Sequence, residues 1–381
     1  MTCFDRERET AELWRQIQDG KNLLMLAPRR IGKTVLLHHL RDTAADHGHR
    51  AIVLDVEGFR EEKDFFRQCC AAIQEELSTG TRVMTAFGER LSRIWRGGEE
   101  GGDWRHWLTH TDWKDFADHL LAHLDDHGED PPWLILVDEL PIFVQALQTH
   151  DGATGLGDFL YWLRNLRQKY PRVRWFYTGS IGLDGLARRH NVEGALNDLD
   201  PFPLGPFPPE TARAFLNWIA QRRSCAMTPE AAERILQRLG WLSPYYLEKI
   251  AEDACGIARN NNTGIDVNTA ETALDNMLDL SKRLYWSSWR EHLDRNIPEP
   301  ERGRLYVLLQ TIAQTPDGAT PDTLLQSLNR GGEPVGPGGL RDLLDTLLAD
   351  GYLDIEAADA GHRYRFRMNL LREWWLRYVV L

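Results

Sequence analysis

The chain has 381 residues, 42% of them hydrophobic and 27% charged, a length that suggests two or three domains and a composition in the soluble globular range. No run approaches the roughly 20 apolar residues of a membrane span, which excludes an integral membrane helix protein, and the formal net charge of −12 excludes the basic overall field of a dedicated nucleic-acid binder. Cys3, Cys69, Cys70, Cys225 and Cys255 form no CxxC pair, and the charged N-terminus MTCFDRERETAEL lacks an apolar signal region, so a reducing cytoplasm is the expected location.

In chain order, short apolar runs at 22–28 (NLLMLAP), 51–58 (AIVLDVEG), 133–139 (WLILVDE) and 174–180 (RWFYTGS) predict strands. Helical patterns between them make an α/β domain with a parallel sheet covered on both faces. One helix is expected over 63–77, where Phe65, Phe66, Cys69, Ile73 and Leu77 recur at spacings of three and four. An extra stretch at 78–113 carries Trp95, Trp104, Trp107 and Trp113 around GGEEGG. It reads either as a partner-binding surface, because aromatic residues concentrate in hot spots, or as a satellite core covering the sheet edge. DPFPLGPFPP at 200–209 reads as a short strand and a stop. The pattern is helical from 210 to 297, and 301–381 then reads helix, helix, helix, hairpin, helix, with hairpin strands YLDIE (352–356) and RYRFRM (363–368). That last order is a winged-helix pattern. Domains are therefore expected at 1–208, 209–297 and 298–381.

LAPRRIGKT at 26–34 follows an apolar strand and precedes a helix beginning VLLHHL. This is the context of a phosphate loop: backbone N–H groups of Ala27, Pro28, Arg29, Arg30, Ile31, Gly32 and Val35, proline excepted, and the positive helix end surround phosphates. Lys33 reaches the β/γ oxygens, and Thr34 places a hydroxyl on Mg²⁺. Ala27 stands where the usual pattern has glycine. The strand WLILVDE adds a magnesium-ordering carboxylate, Asp138, beside a water-activating base, Glu139; hydrolysis needs both. VRWFYTGS at 173–180 offers Thr178 or Ser180 as a hydrogen-bonding group for the γ-phosphate or the attacking water, with turn chemistry at a strand end as the plainer reading; Ser180 is the favoured candidate. Arg29 and Arg30 either touch phosphates or pair with Asp55 or Glu57.

The segments FDRERE (4–9), APRRIGKT, LDVEGFREEKDFF (54–66), LILVDE, FYTGS, PFPLGPF and GWLSPYYLEKIAE (240–252) resemble the archaeal-type P-loop ATPase family. That family belongs, with the STAND signalling ATPases and the origin-recognition ATPases, to one branch of the AAA+ group. The likeness spans residues 1–280 and extends to the C-terminal YRFRMNLLREWW. It implies an α/β P-loop NTPase sheet in the order 5-1-4-3-2, a helical lid and a winged helix, with ATP and Mg²⁺ bound at a Walker A loop and a Walker B acid pair. It also implies that Phe4–Glu7 lies near the adenine and that a Gly-x-Pro-like lid motif reads the nucleotide. Here Gly240 and Pro244 stand two residues further apart than usual, and Pro244 is equally the first residue of a helix, where proline is favoured. AAA+ relatives commonly place an arginine before the PF segment, and NVEGALNDLDPF at 191–202 has none; Arg188 and Arg189 are the nearest substitutes. A trans arginine is worth roughly 10³–10⁵ in rate elsewhere, so slow or partner-stimulated turnover is expected.

The expected recognition helix, GLRDLLDTLLADGYL from 339, sets Arg341 against Asp342, Asp345 and Asp350, a balance that repels phosphates. In the hairpin, Arg363, Arg365 and Arg367 alternate onto one face while Tyr364, Phe366 and Met368 face the core. Those arginines either contact DNA or pair with Asp354 and Glu356 on the neighbouring strand. Three functions follow: a slow switch ATPase that controls a protein partner or its own oligomerisation, in signalling or defence against foreign DNA; a DNA-associated ATPase of replication, transposition or mobile-element control; and a module that binds ATP without hydrolysis.

Overall fold

Four apolar runs and the short segment Leu199–Pro201 form five strands in a computed structural model of the chain, which describes residues 3–78, 113–126, 130–180, 182–330, 333–358 and 361–379. The chain divides into two units, Met1–Ala27 with Gly32–Leu204, and Pro28–Ile31 with Gly205–Leu381. The tip of the glycine-containing loop thus groups with the second unit, and the division after Leu204 falls inside the DPFPLGPFPP stretch.

In the first unit β1 (Asn22–Leu26), β2 (Arg50–Asp55), β3 (Trp133–Asp138), β4 (Val173–Gly179) and β5 (Leu199–Pro201) make one sheet in the order β2-β3-β4-β1-β5. Every ladder is parallel, and the order is the expected one read from the opposite edge. All six positions of β3 are buried, as a sheet covered on both faces requires. Leu24, Ile52, Leu54, Ile135, Val137, Trp175 and Tyr177 alternate onto one face. There they join one core with α3 (Glu62–Ser78), α4 (Trp113–Asp126) and α5 (Leu140–Lys169). The five periodic residues of α3 are all in this core; Phe65 lies 5.9 Å from the Phe143 ring and 5.4 Å from that of Phe159. Among the described residues, the remaining α-helices of the first unit are α1 (Glu7–Gln18), α2 (Lys33–Thr43) and α6 (Leu183–Arg189).

Trp113 packs on the core with its ring 5.0 Å from that of Trp162, so this tryptophan of the insert serves the core; Trp95, Trp104 and Trp107 lie outside the described residues. Near β5, Arg167 is buried and donates to both carboxylate oxygens of Asp198 at 2.8 Å, to the Ala195 carbonyl at 2.8 Å and to the Tyr177 hydroxyl at 3.3 Å. A buried guanidinium needs such full pairing, and the pairing fixes the segment before β5 on α5.

The second unit is helical from α7 (Pro209–Arg222) through α8 (Pro229–Leu239), α9 (Pro244–Asn260), α10 (Val267–Met277) and α11 (Leu284–Asn296). Thr228 and Asp266 cap α8 and α10 by accepting from the backbone N–H groups of Ala231 and Thr269. There follow α12 (Glu301–Ala313), α13 (Pro321–Leu328), α14 (Pro337–Ala349), an antiparallel hairpin of β6 (Leu353–Ala358) and β7 (Gly361–Phe366), and α15 (Asn369–Tyr378). This arrangement fits a helical lid followed by a winged helix. Arg238 of α8 joins Glu271 and Asp275 of α10 to Glu373 of α15.

In the hairpin, Arg365 pairs with Glu356 at 3.1 Å and Arg367 with Asp354 at 2.8 Å, while Arg363 donates to the Asp317 carbonyl at 3.3 Å. On α14, Arg341, Asp342 and Asp345 are exposed. Asp350 differs from the sequence reading: it is buried, its carboxylate 3.0 Å from His292 Nε2. Among the described residues no helix is long and apolar enough to cross a membrane.

Candidate active site

The site of the first unit is built where β1, β3 and β4 end side by side. β1 stops at Leu26, and Ala27, which is buried, donates its N–H to the Gly179 carbonyl at 3.2 Å. Gly32, at φ +98°, then turns the chain into α2. The left-handed backbone is what requires glycine there, since a Cβ would meet nothing within 4 Å. The N–H groups of the first turn of α2, at the positive end of the helix dipole, carry partial positive charge.

Lys33 is 5% exposed, donates from Nζ to the Ala27 carbonyl at 2.9 Å and lies 3.9 Å from Glu139 Oε1. Its ammonium therefore stands inside the curve of the loop, beside an acid. Next to it Thr34 Oγ1 donates to Asp138 Oδ2 at 2.6 Å. From β4, Thr178 Oγ1 donates to Asp138 Oδ1, also at 2.6 Å, and the Glu139 N–H reaches the same oxygen at 3.1 Å. The buried Asp138 carboxylate is thus hydrogen-bonded at both oxygens, which compensates for its removal from water.

Glu139 follows β3 with φ +57° and ψ +38° as the N-cap of α5, and Pro141 stands in that helix's first turn. A left-handed non-glycine residue is strained and persists only where its surroundings fix it. Here Ser180 fixes it: the Ser180 N–H and Oγ both donate to Glu139 Oε2 at 2.9 Å. Gly179 allows the approach, because a Cβ there would lie 2.2 Å from Pro141 Cδ.

The structure thus brings together Ala27, Gly32, Lys33, Thr34, Asp138, Glu139, Thr178 and Ser180. It gives the two candidate hydroxyls separate partners, Thr178 on Asp138 and Ser180 on Glu139. Val35 is half-buried in the first turn of α2. Pro28, Arg29, Arg30 and Ile31 belong with the second unit, where the Arg30 guanidinium bonds the Tyr246 hydroxyl and the Leu284 carbonyl. Pro244, also there, is the first residue of α9. Gly240, at φ +80°, ends α8 against Asn369. Sequence reasoning did not anticipate Gly179 as the residue that permits the Ser180–Glu139 pair; its only signal was its place between two hydroxyl residues at a strand end.

Thr34 and Asp138 fit a magnesium ion. They are two hard oxygen donors in mutual contact at the head of α2, and Mg²⁺ is commonly held by one or two protein oxygens plus substrate phosphates and water. Among the described residues no group of three or more His, Cys, Asp and Glu side chains converges elsewhere as a metal cage.

No family model matches the sequence, and no curated protein matches it significantly. Among solved structures, a Walker-type ATPase of Pyrococcus abyssi is similar with a TM-score of 0.65 and 18% identity over 98% of this chain and 95% of that one. The ORC2 protein of Aeropyrum pernix, solved as ADPNP–ADP complexes, is similar with a TM-score of 0.58 and 13% identity over 99% of this chain and 95% of that one. With the sheet order and the phosphate-type loop after β1, these likenesses identify the fold of the chain as that of an archaeal-type AAA+ P-loop ATPase.

Proposed function

We propose that the chain binds ATP with Mg²⁺ and hydrolyses it slowly, acting as a switch that controls a protein partner or its own oligomerisation. The observation that carries this reading is the hydrogen-bonded set at the ends of β3 and β4: Asp138 between Thr34 and Thr178, and Glu139 on Ser180. It supplies one residue for each role that phosphoryl transfer to water needs. Lys33 offsets the charge of the β- and γ-phosphates. Thr34 and Asp138 would hold Mg²⁺, which when bound supplies further charge compensation at the phosphates. Glu139 takes a proton from the attacking water as the new P–O bond forms and the bond to ADP breaks. Because both Ser180 bonds end on Oε2, Oε1 is the oxygen left for that proton.

Slow turnover is supported by the segment 191–202, which has no arginine. Arg188, at the end of α6, is 71% exposed and 3.6 Å from Glu193, a surface pair of small energetic weight. The pairing of Arg365 and Arg367 with Glu356 and Asp354, and the exposed acids of α14, favour a protein partner over DNA at this face.

Phosphate release by the purified chain tests the reading. Glu139→Gln is expected to bind ATP and release no phosphate, and Lys33→Ala to lose ATP binding. Equal phosphate release by Glu139→Gln and wild type would remove Glu139 as the base, and a turnover well above about 1 s⁻¹ for the chain alone would overturn the slow switch. Particle mass with and without ATP separates the two modes: a ring or filament with ATP supports self-assembly, a monomer throughout a partner-gated switch.

A further inference from the structure

In the second unit the loop residue Arg30 is captured at both ends. Its guanidinium donates to the Tyr246 hydroxyl at 3.0 Å and to the Leu284 carbonyl at 3.2 Å, and it lies over the Tyr245 ring, 4.5 Å from the centroid. Its carbonyl accepts from Ser243 Oγ at 2.6 Å, and Ser243 is fully buried. The receiving group is itself rigid. Tyr246 accepts from Trp289 Nε1 at 2.8 Å, donates to the Tyr285 carbonyl at 3.0 Å and stacks on Trp286 with centroids 4.7 Å apart. A planar cation over an aromatic face with directed hydrogen bonds at its edge is a contact that arginine makes and lysine does not reproduce.

The backbone explains why such a grip is needed. Arg30 has φ +69°, the left-handed region that glycine enters freely and that a side chain enters only when its surroundings hold it there. Ile31, next to it, is buried.

We propose that Arg30 is a positioning residue for nucleotide binding: its captured side chain and carbonyl, and no contact with phosphate, hold the stretch between Ala27 and Gly32 in the course that phosphates require. The proposal rests on the reading of this loop as the ATP site. It makes Ser243, Tyr245 and Tyr246 the residues that hold Arg30 in place.

The test is the affinity of the full-length protein for ADP and for ATP, by calorimetry, in Arg30→Ala, Arg30→Gly, Tyr246→Phe and the double variant Arg30→Ala/Tyr246→Phe. Arg30→Ala is expected to weaken ADP and ATP by the same factor, about tenfold, the scale of a lost hydrogen bond to a charged group. Arg30→Gly should recover part of that loss, because glycine adopts the backbone angle freely. Tyr246→Phe should weaken both nucleotides by a smaller factor, and the double variant no more than Arg30→Ala alone, the signature of residues acting as one unit. Loss of ATP affinity with ADP affinity intact would mark Arg30 as a γ-phosphate ligand and overturn the proposal; so would wild-type affinity in Arg30→Ala or additive losses in the double variant. If Arg30→Ala does not unfold cooperatively on heating, Ser243→Ala and Tyr246→Phe, and the double variant that combines them, carry the same comparison. Lys33→Ala separates the two levels: if it still binds ATP, the loop reading itself fails, whereas if it loses ATP while Arg30→Ala binds normally, only this proposal fails.

Discussion

Both hydrogen bonds that the Glu139 carboxylate accepts from Ser180, one from the N–H and one from Oγ, end on the same oxygen, Oε2, at 2.9 Å. Two donors on one oxygen fix the rotation of the carboxylate plane and leave Oε1 on the side of Lys33, 3.9 Å from its ammonium. Ser180→Ala removes the hydroxyl and keeps the N–H, so the Glu139 carboxylate stays in place but rotates more freely. The expected result is a turnover lower by roughly tenfold, the scale of one charge-assisted hydrogen bond, with ATP affinity within about twofold of wild type. Steady-state kinetics alongside equilibrium ATP binding read this directly; an unchanged turnover would show that the hydroxyl does not position the base.

Gly179 is the second fixed point of the same corner. A methyl group there would stand 2.2 Å from Cδ and 2.4 Å from Cγ of Pro141, both in a ring that cannot swing aside. Either β4 or the first turn of α5 must shift, and the two carry Ser180 and Glu139. Gly179→Ala is therefore expected to lower stability by about 1–3 kcal/mol, the usual penalty of overpacking, and to abolish phosphate release even where the protein remains folded. Thermal unfolding with a phosphate-release assay tests both parts, and a variant with wild-type melting temperature and turnover would refute the steric argument.

The loop that follows β1 and the acid pair that ends β3 were legible as local groupings because each is made of adjacent residues: 27–35 between a strand and a helix, 138 and 139 at one strand end. Strand alternation and the burial of β3 likewise follow from local pattern. The division of labour between Thr178 and Ser180 was not legible, since two-residue alternation puts both on one side of β4 without saying which acid each meets. Neither was the capture of Arg30, whose partners Ser243 and Tyr246 lie 213 and 216 residues away; the sequence offered Asp55 and Glu57 as closer charged candidates. Asp350 shows the same limit. As the residue after α14 it read as one more exposed acid, and only the fold brings His292 to it.

Two buried tyrosines make stability sensitive to alkali. Burial pushes the Tyr177 phenol in the first unit up to about 12, with the neighbouring Arg167 opposing, and pushes that of Tyr246 in the second unit up to about 12, with Arg30 opposing. In the unfolded chain a tyrosine titrates near pH 10. Between roughly pH 10 and 12 the unfolded state therefore binds fewer protons than the folded state, and stability, complete below pH 10, falls as pH rises. Once pH passes the folded value, the loss approaches about 3 kcal/mol for each tyrosine, on an order-of-magnitude basis. Denaturant unfolding at a series of alkaline pH values, followed together with the ultraviolet absorbance of tyrosinate, checks this. These phenols should ionise only as the chain unfolds, and Tyr177→Phe should show a shallower alkaline decline than wild type. Stability that stays level across this window would mean that neither hydroxyl is held in its protonated form by the fold.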